Sequence, residues 1–210
     1  MSARIVSVNV GEPRDVEWQG RIVTSAIWKS PTGERVRVEG VNIAGDDQAD
    51  RRVHGGVDKA VYAYAIEDYE WWSPTVEVGP GSFGENLTTE GIHLNECAVG
   101  DLWHVGTVTF EVAQPREPCF KLGMRMGDEH FPGMFEDAGR PGAYLRIVSA
   151  GELGAGDVID VTATVEPRVR LGEMVRPLPE STWRVIAVDS RFPEGWRRRA
   201  ARALRTEQEE

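Results

Sequence analysis

The sequence predicts a mostly β protein, an antiparallel barrel that carries a small helical unit at its C-terminal end. Three observations lead there. Short runs of β-branched and aromatic residues, broken by Gly, Pro, Asn or Asp, recur through the first four fifths of the 210 residues. Only two helical stretches interrupt them, too few to supply the crossovers of a doubly wound parallel sheet. Near Glu166 and Pro167 the composition changes, and proline-bounded helical patterns follow.

Taken in order, residues 4–10, 22–29, 34–41 and 59–64 read as strands, each rich in Val, Ile, Tyr or Trp between turn residues. Residues 66–73 follow as one short amphipathic helix. Residues 101–105 and 107–113 read as further strands, residues 121–126 as a second short helix, and residues 143–148 and 158–165 as the last strands. Beyond them, residues 171–176, 179–188 and 193–204 read as helices opened or closed by proline. The last has the clearest pattern. Trp196, Ala200, Ala203 and Leu204 fall on one stripe, with Arg197, Arg198, Arg199, Arg202 and Arg205 mostly opposite. The expected organisation is therefore a barrel over residues 1–165 and a three-helix unit over residues 166–210. A unit that small is expected to pack on the barrel rather than stand alone.

Composition narrows the function. A hydrophobic content of 40% supplies a sizeable core, and 12 prolines with 23 glycines fit many turns without approaching low complexity. The formal charge of −10 repels nucleic acid and anionic membranes unless basic residues gather locally. They do so at the C-terminal end, where six arginines face four glutamates from Arg191 onward. Arginines around an alanine-rich stripe read most simply as a solvated face, so no nucleic-acid partner is expected. No run approaches the about 18 apolar residues of a membrane span, and the N-terminal residues lack a secretory layout, so a cytoplasmic protein is expected. Two cysteines, Cys97 and Cys119, cannot build a disulfide scaffold and are expected to be free thiols.

Three segments concentrate residues that carry chemistry. Residues 45–60 pack acids, bases, His54 and the pair Gly55 and Gly56 between two strand-like runs. Adjacent glycines let the backbone come close to a ligand, and Arg51, Arg52 and Lys59 offer an anion site. A solvated loop whose charges pair among themselves is the plainer reading, and composition alone favours it. Residues 78–88 contain GxGxxG from Gly79 to Gly84, but Pro80 follows the first glycine and no βαβ unit surrounds it, which rejects dinucleotide binding. What remains there is a rigid loop whose backbone N–H groups are able to hold an anion. In residues 113–121, Pro115 and Pro118 fix the backbone around Arg116 and Glu117 and hold Cys119 at a strand end. Arg116 and Lys121 favour the thiolate of Cys119 and Glu117 opposes it; the alternative is a small buried hydrophobe. Cys97 lacks such a setting and reads as packing, and His93, His104 and His130 read as surface or strand residues. Neither CxxC nor HxxxH nor GxSxG spacing occurs.

Together these segments resemble a known pattern. Gly45 and Asp46 through Asp50, His54-Gly55-Gly56, Lys59-Ala60, Phe83-Gly84-Glu85-Asn86-Leu87, Val99-Gly100-Asp101 and Pro115-Arg116-x-Pro118-Cys119 look like the MOSC domain (molybdenum cofactor sulfurase C-terminal), in its YiiM-like group. The resemblance covers about residues 1–165, and the C-terminal helices resemble the 3-alpha domain that follows MOSC in that group. It implies a β-barrel that binds the molybdenum cofactor, with Cys119 as the protein sulfur on molybdenum. Lys29, Lys59 and Arg116 are then the candidates for the phosphate and pterin, with Phe83, Gly84, Glu85 and Asn86 adding backbone or amide donors. His54 either binds the cofactor or delivers protons, or else pins the Gly55–Gly56 turn. The implied activity is two-electron reduction of N-hydroxylated compounds (hydroxylamines, amidoximes, N-hydroxylated bases) to the amine or amidine and water. A persulfide carrier acting through Cys119 and a cofactor carrier or sensor without turnover are the rival readings. No iron–sulfur, flavin or nicotinamide motif occurs, so the expected partner is a separate flavoprotein or ferredoxin-type electron donor. The arginine face of the last helix either docks that donor or belongs to a helical lid on the barrel. A monomer or a homodimer suits the sequence equally.

Overall fold

The computed structural model describes residues 2–49 and 55–206. Strand β1 (Arg4–Val10) is followed by a hairpin of β2 (Arg14–Trp18) and β3 (Arg21–Ser25), then by β4 (Ser30–Thr32), which returns along β1. β5 (Val36–Glu39) pairs with β6 (Asn42–Ile43). β7 (Val61–Ala65), α1 (Ile66–Trp72) and β8 (Leu87–Glu90) come next, then β9 (Leu102–Val105) and β10 (Val108–Gln114). Helices α2 (Phe120–Met126) and α3 (Phe131–Ala138) separate β10 from β11 (Ala143–Ser149); β12 (Gly151–Leu153) and β13 (Ile159–Thr162) follow. The chain closes with α4 (Leu171–Met174), α5 (Glu180–Val188) and α6 (Glu194–Thr206).

Eight strands share one sheet in the order β13-β9-β10-β11-β7-β8-β1-β4. Neighbours are antiparallel except β7 and β8, which run parallel because α1 and the loop after it carry the chain back. The sheet curls until its ends meet. Ile5 N–H donates to the Asp157 carbonyl at 2.9 Å, Gly156 N–H to Ile5 at 2.8 Å and Ile159 N–H to Ala3 at 2.8 Å, which stitches β1 to the start of β13. Closure removes the exposed edge that would otherwise invite pairing with another chain.

β7 is buried along its whole length, and its alternation divides two apolar layers. Val61, Ala63 and Ala65 belong to the barrel interior, with Trp103, Phe110 and Leu145. Tyr62 and Tyr64 point the other way, into an aromatic layer with Tyr69, Trp72, Phe83, Phe131 and Phe135 under α1, α2 and α3. The barrel cluster runs on into the C-terminal helices through Val169, Leu171, Met174, Ile186, Phe192, Trp196 and Ala200. The stripe read from the sequence is thus the face by which α6 is held, and Trp196 Nε1 donates to Gln114 Oε1 of β10 at 3.1 Å.

Several elements differ from expectation. Strand β3 ends at Ser25, four residues early, and residues 26–29 form an open wall instead. β8 and β12 were not legible: Leu-Thr-Thr-Glu and Gly-Glu-Leu have weak alternation and become strands only by pairing with β1 and β7 or with β5. Helix α3 is a further element that the sequence pattern does not signal, because Pro132 and Gly133 in its first turn mimic a loop.

Replacing Trp196 by Ala removes a buried ring from the seam between barrel and helices and strands the Gln114 amide. The expected loss is about 3–5 kcal/mol of folding stability, read as a lower urea midpoint.

Candidate functional site

The three segments singled out in the sequence meet around one cleft, open to solvent. Its walls come from residues 25–29 after β3, residues 46–49 after β6, Lys59 and Tyr62 at the start of β7, residues 84 and 86 before β8, and residues 116–121 between β10 and α2. Tyr144 of β11 completes them.

Cys119 lines this cleft and is half-buried, placed by the Pro115-Arg116-Glu117-Pro118 run as it leaves β10. Arg116 is only 7% exposed. Its guanidinium lies over the Tyr62 ring at 4.9 Å and the Phe135 ring at 5.7 Å, and Nη1 donates to the Phe83 carbonyl. Such a cation stays charged when buried, and the ring faces and the carbonyl hold it in one orientation. Tyr62 packs on Tyr144 with centroids 5.0 Å apart, and Lys59 Nζ sits 5.9 Å from the Tyr144 centroid. Burial pushes the Tyr144 phenol above its usual range, so it stays neutral through physiological pH. Lys121, in the first turn of α2, brings a further ammonium to the rim. One thiol and three cations, Lys59, Arg116 and Lys121, therefore share a single opening.

Behind the cleft lies a brace. Lys29 and Asp46 form a buried ion pair, and the Asp46 carboxylate also accepts Gly11 N–H at 2.9 Å and Asn86 Nδ2 at 2.9 Å. Burial lowers the pKa of Lys29 and Asp46 opposes that. Asn86 in turn accepts Tyr62 N–H on Oδ1 at 3.1 Å and donates its own N–H to the Tyr62 carbonyl at 2.8 Å. Lys29 and Asn86 thus border the cleft, but their polar atoms are committed to holding it open.

The loop before β8 requires a correction. Phe83 and Glu85 are fully buried, point away from the cleft and do not line it. Phe83 sits in the aromatic layer. Glu85 accepts Gly81 N–H at 2.5 Å, Phe83 N–H at 3.2 Å, Thr88 Oγ1–H at 3.0 Å and the Tyr69 hydroxyl. Burial pushes its carboxyl above the usual range, and these donors pull it back. The N–H groups of Phe83, Gly84 and Asn86 are all spent inside the fold, on Glu85, Gly81 and Tyr62, so the loop is not the anion-holding nest that its glycines suggest. Those glycines have another cause. Gly81 and Gly84 adopt φ of +84° and +76°, and a Cβ would stand 2.5 Å from the Lys29 carbonyl oxygen at the first and 2.7 Å from Ile27 Cγ1 at the second.

His54, with Arg51 and Arg52, lies outside the described residues. Cys97 is 6% exposed under β9, and burial pushes its thiol up to about 12, consistent with packing. Sequence reasoning missed Asp46, Tyr62 and Tyr144 as parts of the site. For Tyr62 a signal existed: in Val61-Tyr62-Ala63-Tyr64-Ala65 the tyrosines alternate with small residues and belong to the opposite face.

A family model described as MOSC domain matches residues 50–160. The chain is 32% identical over 164 residues to YflK of Bacillus subtilis (strain 168), covering 77% of this chain and 74% of that protein. It is 31% identical over 155 residues to a protein named Reductase from Gibberella moniliformis, covering 71% of this chain but only 28% of that protein. The crystal structure of YiiM from Geobacillus stearothermophilus matches with a TM-score of 0.78 at 26% identity, covering 96% of this chain and 99% of that one.

Two outcomes are expected from this geometry. Lys29→Met leaves Asp46 buried without its cation and costs about 3–5 kcal/mol in urea unfolding, whereas Lys29→Met with Asp46→Asn regains most of it. Iodoacetamide at pH 8 labels Cys119 and spares Cys97 in the folded protein, while both react in denaturant; peptide mass mapping reads the difference.

Proposed function

This chain belongs to the MOSC domain family, which is associated with binding of the molybdenum cofactor, and from that premise we propose that it is an oxidoreductase that reduces small N-hydroxylated compounds with that cofactor. The observation that carries the reading is the meeting of the Cys119 thiol with Arg116, Lys59 and Lys121 in one cleft. The residues present fit the group. A thiolate is a soft donor, and Cys119 would hold the molybdenum of a dithiolene-bearing pterin. Among the described residues no three His, Cys, Asp or Glu side chains gather as a metal site, and Cys119 is the thiol that lines the cleft. The three cations suit the phosphate of the same cofactor by charge-assisted hydrogen bonds.

When bound, the cofactor supplies the two-electron redox couple. The overall change is R–NHOH + 2 e⁻ + 2 H⁺ → R–NH₂ + H₂O. In it, Cys119 anchors the metal, and Arg116, Lys59 and Lys121 neutralise the anionic charge brought into the cleft. The Asp46 and Glu85 networks fix the loop that carries Asn86 and Phe83, and the Phe83 carbonyl holds Arg116, so little ordering cost remains there at binding. Lys29 and Asn86 take part through that network, and the neutral phenol of Tyr144 offers a hydrogen-bond donor at the cleft wall. Electrons come from a separate flavoprotein or ferredoxin-type donor. No described helix is long and apolar enough to cross a membrane.

Protein purified from a molybdenum-replete host that makes the cofactor is expected to contain molybdenum. It is also expected to turn hydroxylamines or amidoximes into amines or amidines with a reduced viologen. Cys119→Ala brings turnover to background, and Lys121→Ala weakens cofactor retention roughly ten- to hundredfold. Absence of molybdenum from the wild-type protein, or a Cys119→Ala variant that keeps both metal and turnover, overturns the reading.

A further inference from the structure

We infer that the cavity between the barrel and the C-terminal helices is a second binding site, for a small organic anion with an apolar, ring-sized body. This cavity has a volume of about 360 Å³, opens to solvent, and shares with the Cys119 cleft only one residue, Arg116, which stands as a wall between them. Cys119, Lys59 and Lys121 do not line it. The inference does not rest on the proposed reductase activity.

Its body is apolar. Phe135 of α3, Met174 of α4 and Trp196 of α6 are buried side chains that present carbon to the cavity, and Pro115 and Pro141 lie between them. Pockets at a junction of two structural units, walled by rings and carrying a few convergent polar groups, are the usual form of a small-molecule site. Its charge is opposite to that of the chain. Four guanidiniums, those of Arg116, Arg140, Arg176 and Arg199, border it against two carboxylates, Glu117 and Glu136, although the whole sequence carries −10.

The commitments of these charges locate the anion. Arg199 pairs with Glu117 at 2.9 Å and lies over the Trp196 ring at 5.1 Å. Arg140 pairs with Asp68 outside the cavity, and Arg116 is held by the Phe83 carbonyl and the rings of Tyr62 and Phe135. Glu136 is exposed. Arg176, on the turn between α4 and α5, makes no side-chain hydrogen bond or ion pair among the described residues. Pro177 and Pro179 stiffen the backbone of that turn, and Arg176 lines the cavity from it. A carboxylate placed there meets Arg176 while its ring displaces water from Trp196 and Met174.

The test uses full-length protein and two probes, 2-naphthoate and its neutral isostere 2-naphthamide. Calorimetry reads affinity. The indole ¹H–¹⁵N resonance of Trp196, assigned with Trp196→Phe, reads location. The inference expects saturable one-site binding of 2-naphthoate that moves the Trp196 signal, with 2-naphthamide at least about tenfold weaker. Arg176→Glu is expected to weaken 2-naphthoate by about tenfold or more, Arg176→Lys to retain most of the affinity, and Cys119→Ala to change nothing. Because Arg176 is exposed, these variants are expected to keep the wild-type circular dichroism. Any one of these results overturns the inference: no saturable binding, equal affinity for the amide, unchanged affinity in Arg176→Glu, or loss of binding in Cys119→Ala.

Discussion

A buried carboxylate, that of Asp46, ties together three stretches of chain that the sequence keeps far apart. It receives Lys29 from the segment after β3, Gly11 from the end of β1 and Asn86 from the loop before β8. Asn86 passes the connection on to both backbone groups of Tyr62 in β7. A charge so placed is tolerated only when every lone pair is met, which makes the arrangement all-or-none. The cleft is the space these segments enclose, so its shape depends on that one group.

A second layer of the same logic lies behind Arg116. Tyr62 and Tyr64, on the outer face of β7, begin an aromatic layer that Tyr69, Phe83, Phe131 and Phe135 complete. Glu85 sits inside the loop that delivers Phe83 to this layer and satisfies the loop's own N–H groups. Ring faces then take the Arg116 guanidinium, which lets a full positive charge exist beneath the surface without an ion-pair partner among the described residues. A buried cation of this kind is prepared for an anion that arrives from outside. Had a carboxylate neutralised it internally, the cleft would attract a phosphate less strongly.

Whole-chain charge says little about this chemistry. The net −10 is distributed over an outer surface rich in Asp and Glu, whereas Lys59, Arg116 and Lys121 gather in the cleft and four arginines gather at the barrel–helix seam. With a screening length of about 8 Å at physiological ionic strength, these local fields govern ligand binding and the distant surface charge does not.

Much of this was legible in the residues themselves. Repeated β-branched runs determined a mostly β fold, the Trp196 and Ala200 stripe determined which face of α6 is buried, and the Pro-Arg-Glu-Pro-Cys run determined that Cys119 is held at a strand end. These are local properties, set by periodicity and by proline geometry within a few residues. Pairing decided the rest. β8 is a strand because β1 and β7 flank it, and Lys29 is a bracing cation because Asp46 reaches it. Likewise Glu85, whose sequence neighbourhood suggested a ligand loop, faces inward because Tyr69 and Thr88 stand there to meet it. A side chain's type is fixed by the sequence, but whether its charge is spent inside the fold or offered to a ligand depends on which distant partner the tertiary structure brings within hydrogen-bond range.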